Sequence, residues 1–361
     1  MHRKLMKELF NQKPNVIENT ECIYNNTIGK IVEKMGYRTI ITEGAERILG
    51  WRSPNYLYKA KNLKLRILTR NYRLSDDIGF RFSSRWWEEW PLTAEKYASW
   101  LAATPGQVIT IFMDYETFGE HHPPESGIHN FLKHLPGEVM KWDNLQWCLP
   151  SEAVLHHRPV DEIDVPENAT VSWADIKRDI SAWIENPMQK TSFQTLGSLE
   201  PLVKSVGDEK LLALWRKLQV SDHFYYMSLK TGGPGDVHSY FNPYGGAVEA
   251  FAIYLRVLCD LEARVLQKIR KPELLKRVRG IPSKGGFAFF YGFARPAPWI
   301  AYTLHEFYSI LKIIDLSSIE FHLQRGDFER WLREVIGEEH LAKEISRIRK
   351  ENLSGEELRS R

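Results

Sequence analysis

The pattern that most constrains the fold is an alternation of strand-like and helix-like segments along the first half of the chain. Short apolar or β-branched segments, typical of strands, occupy residues 37–42, 64–69, 78–82, 107–113 and 145–149. Helical periodicity lies between them, as in residues 93–103, which begin at a Thr. This alternation predicts βαβ units and a parallel sheet, either open or closed into a barrel. In both arrangements functional side chains gather at the carboxyl ends of the strands.

The second half of the chain has a different character, because strand signals fade from about Trp173. Apolar residues at spacings of three and four predict helices at residues 175–184, 192–205, 210–219 and 247–268. Gly- and Pro-rich breaks at 231–236 and 280–286 predict exposed loops, and we place a domain boundary near residue 275. A strand-like segment, 287–293, and further helices follow. The sequence therefore predicts a domain with a parallel sheet, open or closed, at 1–170, a helical region at 171–275 and a small, mostly helical domain at 285–350.

Composition excludes several classes of protein. The net charge of the 361 residues is only +3, with acids and bases mixed, so nucleic acid is not an expected partner. The three cysteines are far apart without a CxxC pair, which argues against a zinc ribbon or a disulfide framework. The chain lacks an uncharged apolar stretch of about 18 residues, so a membrane span is not expected. We therefore expect a cytoplasmic protein.

The chain is rich in aromatic residues, with 12 Trp, 15 Tyr and 17 Phe. Several stand beside charged residues, as in the segment 85–90. Large rings mostly fill protein cores. Rings in a polar setting also fit a ligand with flat apolar faces, such as a sugar.

The strongest local signal is the polar run that follows the strand-like segment 107–113. Asp114 comes directly after apolar residues, and Glu116, His121 and His122 follow it. A carboxylate at the end of a buried strand is held rigidly with its tip in the cleft, as acid/base catalysis requires. The alternative is a helix N-terminus at which Asp114 is a cap. His121 and His122 suggest a metal, but a third ligand at fixed spacing is missing from the sequence. We expect neither a metal nor a cofactor.

Two other segments combine acids with polar or aromatic residues. Glu21 lies at the centre of the polar segment 18–26. In the segment 218–226, Asp222 and His223 stand beside Phe224, Tyr225 and Tyr226. An acid next to a ring suits a sugar, because the carboxylate accepts hydroxyl protons and the ring stacks. The same segment also fits a capped helix that begins at Ser221.

Together these segments resemble the conserved motifs of the family-57 glycoside hydrolases, particularly the archaeal α-amylase branch. Residues 19–25 resemble the family's nucleophile motif, residues 112–119 its general-acid motif and residues 221–226 its fifth motif. Their order and spacing also fit, and the resemblance covers residues 8 to 270. It implies a seven-stranded (β/α) barrel followed by a helical region, and hydrolysis of α-1,4-linked glucans such as starch or glycogen with retention of configuration.

The resemblance also implies roles for individual residues. Glu21 is the expected nucleophile and Asp114 the expected general acid, with the two carboxyl groups about 5–5.5 Å apart. Asp222 and Tyr225 are expected to hold sugar hydroxyls and a ring face. Further candidates for the cleft wall are Trp51, Arg70 and Asp77.

In one respect the chain departs from the family pattern. The family begins with a His-Gln-Pro motif on its first strand, and this motif is absent here. The first third of the catalytic domain is therefore expected to be missing, which leaves an incomplete (β/α)7 barrel with exposed edges. The chain is then a fragment of a longer product, the partner of a separate polypeptide that carries the first strands, or a degenerate relative.

Several alternatives stay open at this point. Within the family the sequence does not separate an α-amylase from a 4-α-glucanotransferase or a branching enzyme. A non-catalytic α-glucan-binding protein is the alternative from another class. Residues 285–350 resemble a small archaeal domain of unknown role. In that domain Glu320, His322 and Asp327 form either a ligand site or ordinary surface pairs.

Overall fold

A computed structural model describes residues 2–230, 241–268, 285–351, 353 and 355–360. The chain divides into two compact units, one drawn from residues 1–193 and 220–254 and the other from 194–219 and 255–361. Within the described ranges, no helix combines the length and apolar character that a membrane crossing requires. The predicted loop at 231–236 and the boundary near 275 lie outside the described residues.

The first unit is built on a five-stranded sheet with the order β1-β2-β4-β3-β5. Its strands are β1 (Val16–Glu18), β2 (Thr39–Glu43), β3 (Leu57–Ala60), β4 (Arg66–Arg70) and β5 (Glu162–Ile163). Strands β1, β2 and β4 are parallel, whereas β3 is antiparallel to β4 and parallel to β5. All five residues of β2 are buried, as expected for a parallel strand covered on both faces.

The register brings the carboxyl ends of three strands to one edge of the sheet. Glu18, the last residue of β1, pairs with Ile41 of β2, and Glu43 pairs with Arg70 at the end of β4. Beyond β4, Thr110 forms an isolated parallel bridge with Arg70. Charged side chains therefore gather at this edge of the sheet.

The predicted parallel sheet is confirmed in its centre and differs at its margins. The strands predicted at 37–42 and 64–69 are β2 and β4. Residues 107–113 form one bridge rather than a strand. The strands predicted at 78–82 and 145–149 are wrong, since the first overlaps a helix capped by Asn71 and the second precedes a helix that starts at Pro150. Strands β1, β3 and β5 were not predicted, because two to four residues carry little periodic signal.

Helices pack around the sheet of the first unit. In chain order they are α1 (His2–Phe10), α2 (Asn26–Lys34), α3 (Glu46–Leu49), α4 (Tyr72–Gly79), α5 (Ala94–Ala103), α6 (Ile128–Val139), α7 (Pro150–His156) and α8 (Ser181–Ile184). The helix predicted at 93–103 is confirmed as α5, and Thr93 caps it by accepting a hydrogen bond from the Lys96 N–H at 3.2 Å. Tyr97 and Leu101 of α5 share a core with Phe131 of α6.

The helical second half is largely as predicted. Helices α9 (Pro187–Val206), α10 (Glu209–Lys217), α11 (Ser221–Tyr225) and α12 (Ala247–Lys268) follow α8. The helix predicted at 175–184 is wrong over its first part, where only α8 is helical. Asp175 and Arg178 have left-handed φ angles of 57° and 50°, and these interrupt a right-handed helix.

The carboxyl-terminal part of the second unit has its own core. A hairpin of β6 (Phe287–Gly292) and β7 (Arg295–Ala301) precedes α13 (Leu304–Leu311), α14 (Leu316–Gln324), α15 (Asp327–Trp331), a π-helical turn (Leu332–Ile336), α16 (Glu339–Lys350) and α17 (Gly355–Ser360). The strand predicted at 287–293 is confirmed as β6, and the second strand of the hairpin was missed. Rings of Phe287, Phe289, Phe307, Phe328 and Trp331 fill this core.

Glu320, His322 and Asp327, the candidate ligand-binding residues of this region, all make hydrogen bonds within the fold. The His322 Nε2 accepts a hydrogen bond from the Phe290 N–H at 2.8 Å, so its Nδ1–H donates to Asp327, also at 2.8 Å. Glu320 accepts from the Gly355 N–H at 3.4 Å. These contacts join β6 to α14 and α15, and α17 to α14. The three side chains therefore have a structural role.

Candidate active site

A cavity of about 660 Å³ opens in the first unit, where the strands of the sheet end. Its walls combine carboxylates, aromatic rings and two arginines. The acids are Glu18, Glu21, Asp76, Asp114, Glu116, Asp175 and Asp222; the rings are Phe80, Phe112, Tyr115, Trp173, Trp183, Tyr225, Tyr226 and Phe241; the arginines are Arg70 and Arg178. Five of the seven predicted site residues line this cavity: Glu21, Asp114, Asp222, Tyr225 and Arg70.

The backbone at Glu21 follows β1 in a tight turn. Glu21 and the next residue, Cys22, both have left-handed φ angles, 58° and 53°, which residues with a Cβ seldom adopt. Glu18 stabilises the turn, because its Oε1 accepts a hydrogen bond from the Cys22 N–H at 2.8 Å. The Thr42 hydroxyl donates to the Cys22 carbonyl at 2.8 Å. The turn therefore points the Glu21 side chain into the cavity at the cost of local strain.

Both oxygens of the Glu21 carboxylate accept hydrogen bonds. The Trp173 indole Nε1–H donates to Oε2 and the Ser221 hydroxyl donates to Oε1, each at 2.7 Å. Burial raises the pKa of Glu21, the two hydrogen bonds lower it, and the charge of Asp222 raises it further. The net result is a carboxylate with a raised pKa whose orientation is fixed by two donors.

Asp114 occupies the same cavity at the end of the segment 107–113. It precedes a short 3₁₀ turn, Tyr115–Thr117, but its side chain makes no capping hydrogen bond with that turn. The helix-cap alternative therefore does not describe Asp114. Burial raises the pKa of Asp114 to about 6, helped by the charges of Glu116 and Glu21 and opposed by Arg70. A carboxyl group with this pKa holds a proton over part of the neutral range.

Arg70 lines the cavity and is held by three hydrogen-bond acceptors. Its Nη1 donates to Glu43 at 3.0 Å, its Nη2 to Asp76 at 2.6 Å and its Nε to the Phe112 carbonyl at 2.7 Å. The Arg70 side chain is 4% exposed, and the Glu43 side chain is fully buried. Burial also raises the pKa of Glu43. Arg70 therefore ties together β2, β4, α4 and the segment that leads to Asp114.

The other predicted residues divide into two groups. Asp222 and Tyr225 lie on α11 at the cavity wall, and the Tyr225 ring packs beside Trp183 with centroids 6.0 Å apart. Trp51 is 94% exposed and does not line the cavity. Asp77 also lies outside the cavity lining and pairs with Arg81, one helical turn further on, at 2.6 Å.

The two adjacent histidines, His121 and His122, lie in different environments. His122 is buried, with its Nδ1 at 2.8 Å from the Ser83 hydroxyl and its Nε2 at 3.1 Å from the Gly79 carbonyl. His121 lines the cavity and packs against Phe241, with ring centroids 5.6 Å apart. Over the part of the chain that the structure describes, no group of three or more His, Cys, Asp or Glu side chains is arranged to hold a metal ion.

Sequence reasoning missed several residues of the site. Trp173 contacts Glu21 across 152 positions of sequence, and Ser221 does so across 200 positions. Ser221 lies in a segment that the sequence singled out, but only as a helix start. Glu18 and Glu116 stand within three residues of predicted site residues. Their closeness in sequence to another acid could have identified them as further residues of the site.

Paired acids with raised pKa values in a cleft with aromatic walls are typical of glycoside hydrolases. Comparison with known proteins agrees with this class. The model of glycosyl hydrolase family 57 matches residues 1–166 of the chain.

A relative from Methanocaldococcus jannaschii, which carries the name "Putative alpha-amylase", is 48% identical over 287 residues. The match includes 77% of this chain and 61% of the relative. The chain therefore spans less than two thirds of that protein's length.

Proposed function

We propose that the protein is a retaining α-amylase-type glycoside hydrolase that acts on α-1,4-linked glucans, with Glu21 as nucleophile and Asp114 as general acid and base. One observation carries the proposal: Glu21, held by two donors, and Asp114, with a pKa of about 6, line the same cavity. The match of residues 1–166 to the family-57 model and the name of the Methanocaldococcus relative support the same activity.

The proposed reaction has two steps. An oxygen of the ionised Glu21 attacks the anomeric carbon and forms an ester, while the bond to the leaving oxygen breaks and Asp114 gives that oxygen its proton. Asp114, now ionised, then takes a proton from water, whose oxygen attacks the same carbon and releases Glu21 as a carboxylate. The raised pKa of Asp114 suits the first step, because the group must carry a proton when substrate binds.

The cavity walls suit a glucan. Rings of Tyr115 and Tyr225 offer flat faces to sugar rings, and the carboxylates of Glu116 and Asp222 accept hydrogen bonds from hydroxyls. We propose starch or glycogen chains as the substrate. The free thiols of Cys22, Cys148 and Cys259 support the further proposal of a cytoplasmic location.

We also propose that the sheet is part of a (β/α)7 barrel that further strands complete. Among the described strands, β2 is the one that pairs with β1, so β1 is an edge strand there. Edge strands offer unpaired backbone groups to a further strand. Helix α1 adds exposed apolar side chains, Leu5, Leu9 and Phe10. A polypeptide that carries further barrel strands is the partner that fits this edge.

Activity of site variants tests the proposed roles. The full chain is assayed on soluble starch by reducing-end release, together with Glu21→Gln and Asp114→Asn. Each variant is expected to lose at least about 100-fold in kcat, as for removal of an essential acid, base or nucleophile. Asp77→Asn is the matched control, since Asp77 lies outside the cavity lining and its loss should leave kcat near that of the original chain.

Covalent trapping provides a second test. An activated fluoro-glucoside is incubated with the full chain, and its peptides are analysed by mass spectrometry. A glycosyl adduct on the peptide that contains Glu21 is expected, and Glu21→Gln should abolish it. Starch binding without an adduct and without turnover would instead identify a non-catalytic glucan-binding protein.

Transfer to a sugar hydroxyl is a second candidate activity, because Tyr115 stands beside Asp114 and is 94% exposed. An exposed ring next to the acid is suited to holding an acceptor sugar in place of water. Analysis of product lengths from maltoheptaose distinguishes the two: transfer yields chains longer than the substrate, and hydrolysis yields only shorter ones.

A further inference from the structure

Two residues from distant parts of the chain meet at the carboxylate of Glu21. We propose that Trp173 and Ser221 are positioning residues, which together hold the two Glu21 oxygens in one orientation and favour the ionised nucleophile. The inference rests on the proposed function of Glu21. It goes further by assigning the orientation of this group to two side chains outside the immediate nucleophile segment.

Trp173 holds Glu21 at two points. Its backbone N–H donates to the Glu21 carbonyl at 3.1 Å, and its indole Nε1–H donates to Oε2 at 2.7 Å. Two residues before it, Val171 forms a pair of 3.0 Å backbone hydrogen bonds with Tyr24, which fixes the two segments side by side. Because backbone and side chain of one residue both bind Glu21, the indole is a donor with little freedom to move away.

The surroundings of the indole restrict its rotation further. The ring lies beside Phe112, with centroids 5.7 Å apart, and the Arg70 guanidinium carbon is 5.6 Å from its centroid. Arg70 is itself anchored by Glu43 and Asp76. Trp173 is therefore packed between the segment that leads to Asp114 and the buried ion pairs below the cavity.

Ser221 approaches the other oxygen from α11. Its hydroxyl donates to Oε1 at 2.7 Å, the same length as the indole contact. The buried side chain of Gln189 donates to the Phe224 carbonyl at 3.0 Å and so ties α11 to the adjoining helix. A short hydroxyl donor on an anchored helix fixes Oε1, while the indole fixes Oε2.

The electrostatic surroundings explain why these donors are needed. Three acids interact with the group: Asp222 raises the pKa of Glu21, and the charge of Glu21 raises the pKa values of Glu18 and Asp114. The hydrogen bonds described for its carboxylate come from neutral donors. These donors stabilise the anion without burying it in an ion pair, so a lone pair remains available for attack.

Titration of Glu21 in the full chain tests the inference. Carboxyl-labelled glutamate is incorporated, and the Glu21 carbon resonance is assigned by its loss in Glu21→Gln. In Ser221→Ala and in Trp173→Phe, which keeps the ring, the titration midpoint is expected to rise by about one pH unit, because a hydrogen bond to the charged form is lost. Ser221→Thr keeps the hydroxyl and should retain the original midpoint.

Kinetics provide a second readout. Loss of one hydrogen bond to the carboxylate is expected to lower kcat/KM roughly 10- to 100-fold and to move the acid limb of the pH profile upward. Ser221→Thr should restore both. An unchanged midpoint and an unchanged acid limb in Ser221→Ala and Trp173→Phe overturn the inference, even if the enzyme is active. Full activity in Glu21→Gln and Asp114→Asn overturns the proposed function instead. The titration midpoint does not depend on enzyme activity, so the two failures can be told apart.

Discussion

Removal of the charge of Glu116 is expected to shift the pH dependence of catalysis toward acid. Among the charges that act on Asp114, Glu116 is the strongest, and only burial raises the pKa of Asp114 more. In Glu116→Gln the neutral amide no longer disfavours the Asp114 carboxylate, so the pKa of Asp114 falls. Since Asp114 must hold a proton to act as the general acid, the alkaline limb of kcat/KM moves to lower pH.

The size of the effect follows from the fraction of Asp114 that is protonated. With a pKa of about 6, roughly a tenth of the molecules carry the proton near pH 7. At the ordinary value of 3.8, fewer than about one in a thousand do so. Full loss of the shift would therefore reduce the acid-competent fraction about 100-fold. Because burial is the largest cause and persists in the variant, we expect a smaller decrease, roughly 3- to 10-fold near neutral pH.

The assay is a profile of kcat/KM against pH from about 4 to 8 on an unmodified maltooligosaccharide, whose sugar leaving group needs protonation. A maltooligosaccharide with a nitrophenol leaving group is run in parallel as an internal check, because it needs little protonation and should lose less activity in Glu116→Gln. Glu120→Gln is the matched control, since it removes the same charge from the same loop at a residue outside the cavity lining. An alkaline limb that stays in place in Glu116→Gln while activity persists would refute the electrostatic account of Asp114.

Two further predictions concern stability. Replacement of Arg70 by Met leaves the buried Glu43 without its paired cation and leaves Asp76 with only the longer 3.7 Å contact to Arg178, and it should lower the free energy of unfolding by about 3–5 kcal/mol in urea titrations. Gly44→Ala should cost about 1–3 kcal/mol, because its Cβ would lie 2.4 Å from the Arg70 carbonyl oxygen. Gly137→Ala, on a helix with open space at the new Cβ, should instead raise the free energy of unfolding by about 0.5–1 kcal/mol. Equal effects of the two glycine substitutions would contradict this reasoning.

Helices with complete local signals were predictable from the sequence. The helix α5 begins after the Thr93 cap and ends at Ala103, as predicted, and α12 has the predicted bounds. In both, periodicity and end signals lie within one short segment. The prediction of a helix from residue 175 was wrong because Asp175 and Arg178 have left-handed φ angles. The periodicity of apolar residues does not reveal such angles.

Strands were less predictable, because a short strand forms mainly through hydrogen bonds with the strands beside it. The two central strands were found from their apolar runs, whereas β1 and β5 have only three and two residues. Residues 78–82 have strand-like composition, but Asn71 caps a helix whose buried Leu74 and Ile78 lie four residues apart. Local propensity favoured a strand there, and the cap together with helical burial decided otherwise.

The sequence alone carried the chemical types and order of the site: an acid in a polar turn, an acid after an apolar segment, and an acid beside rings. These are local properties, so composition and spacing record them. Only the tertiary structure decided which of these groups share one cavity, that Trp51 and Asp77 stay outside it, and that Trp173 and Ser221 bind the Glu21 oxygens. The physical reason is that solvation, hydrogen-bond geometry and pKa depend on distances of a few ångströms, and residues 152 and 200 positions apart acquire such distances only when the chain folds.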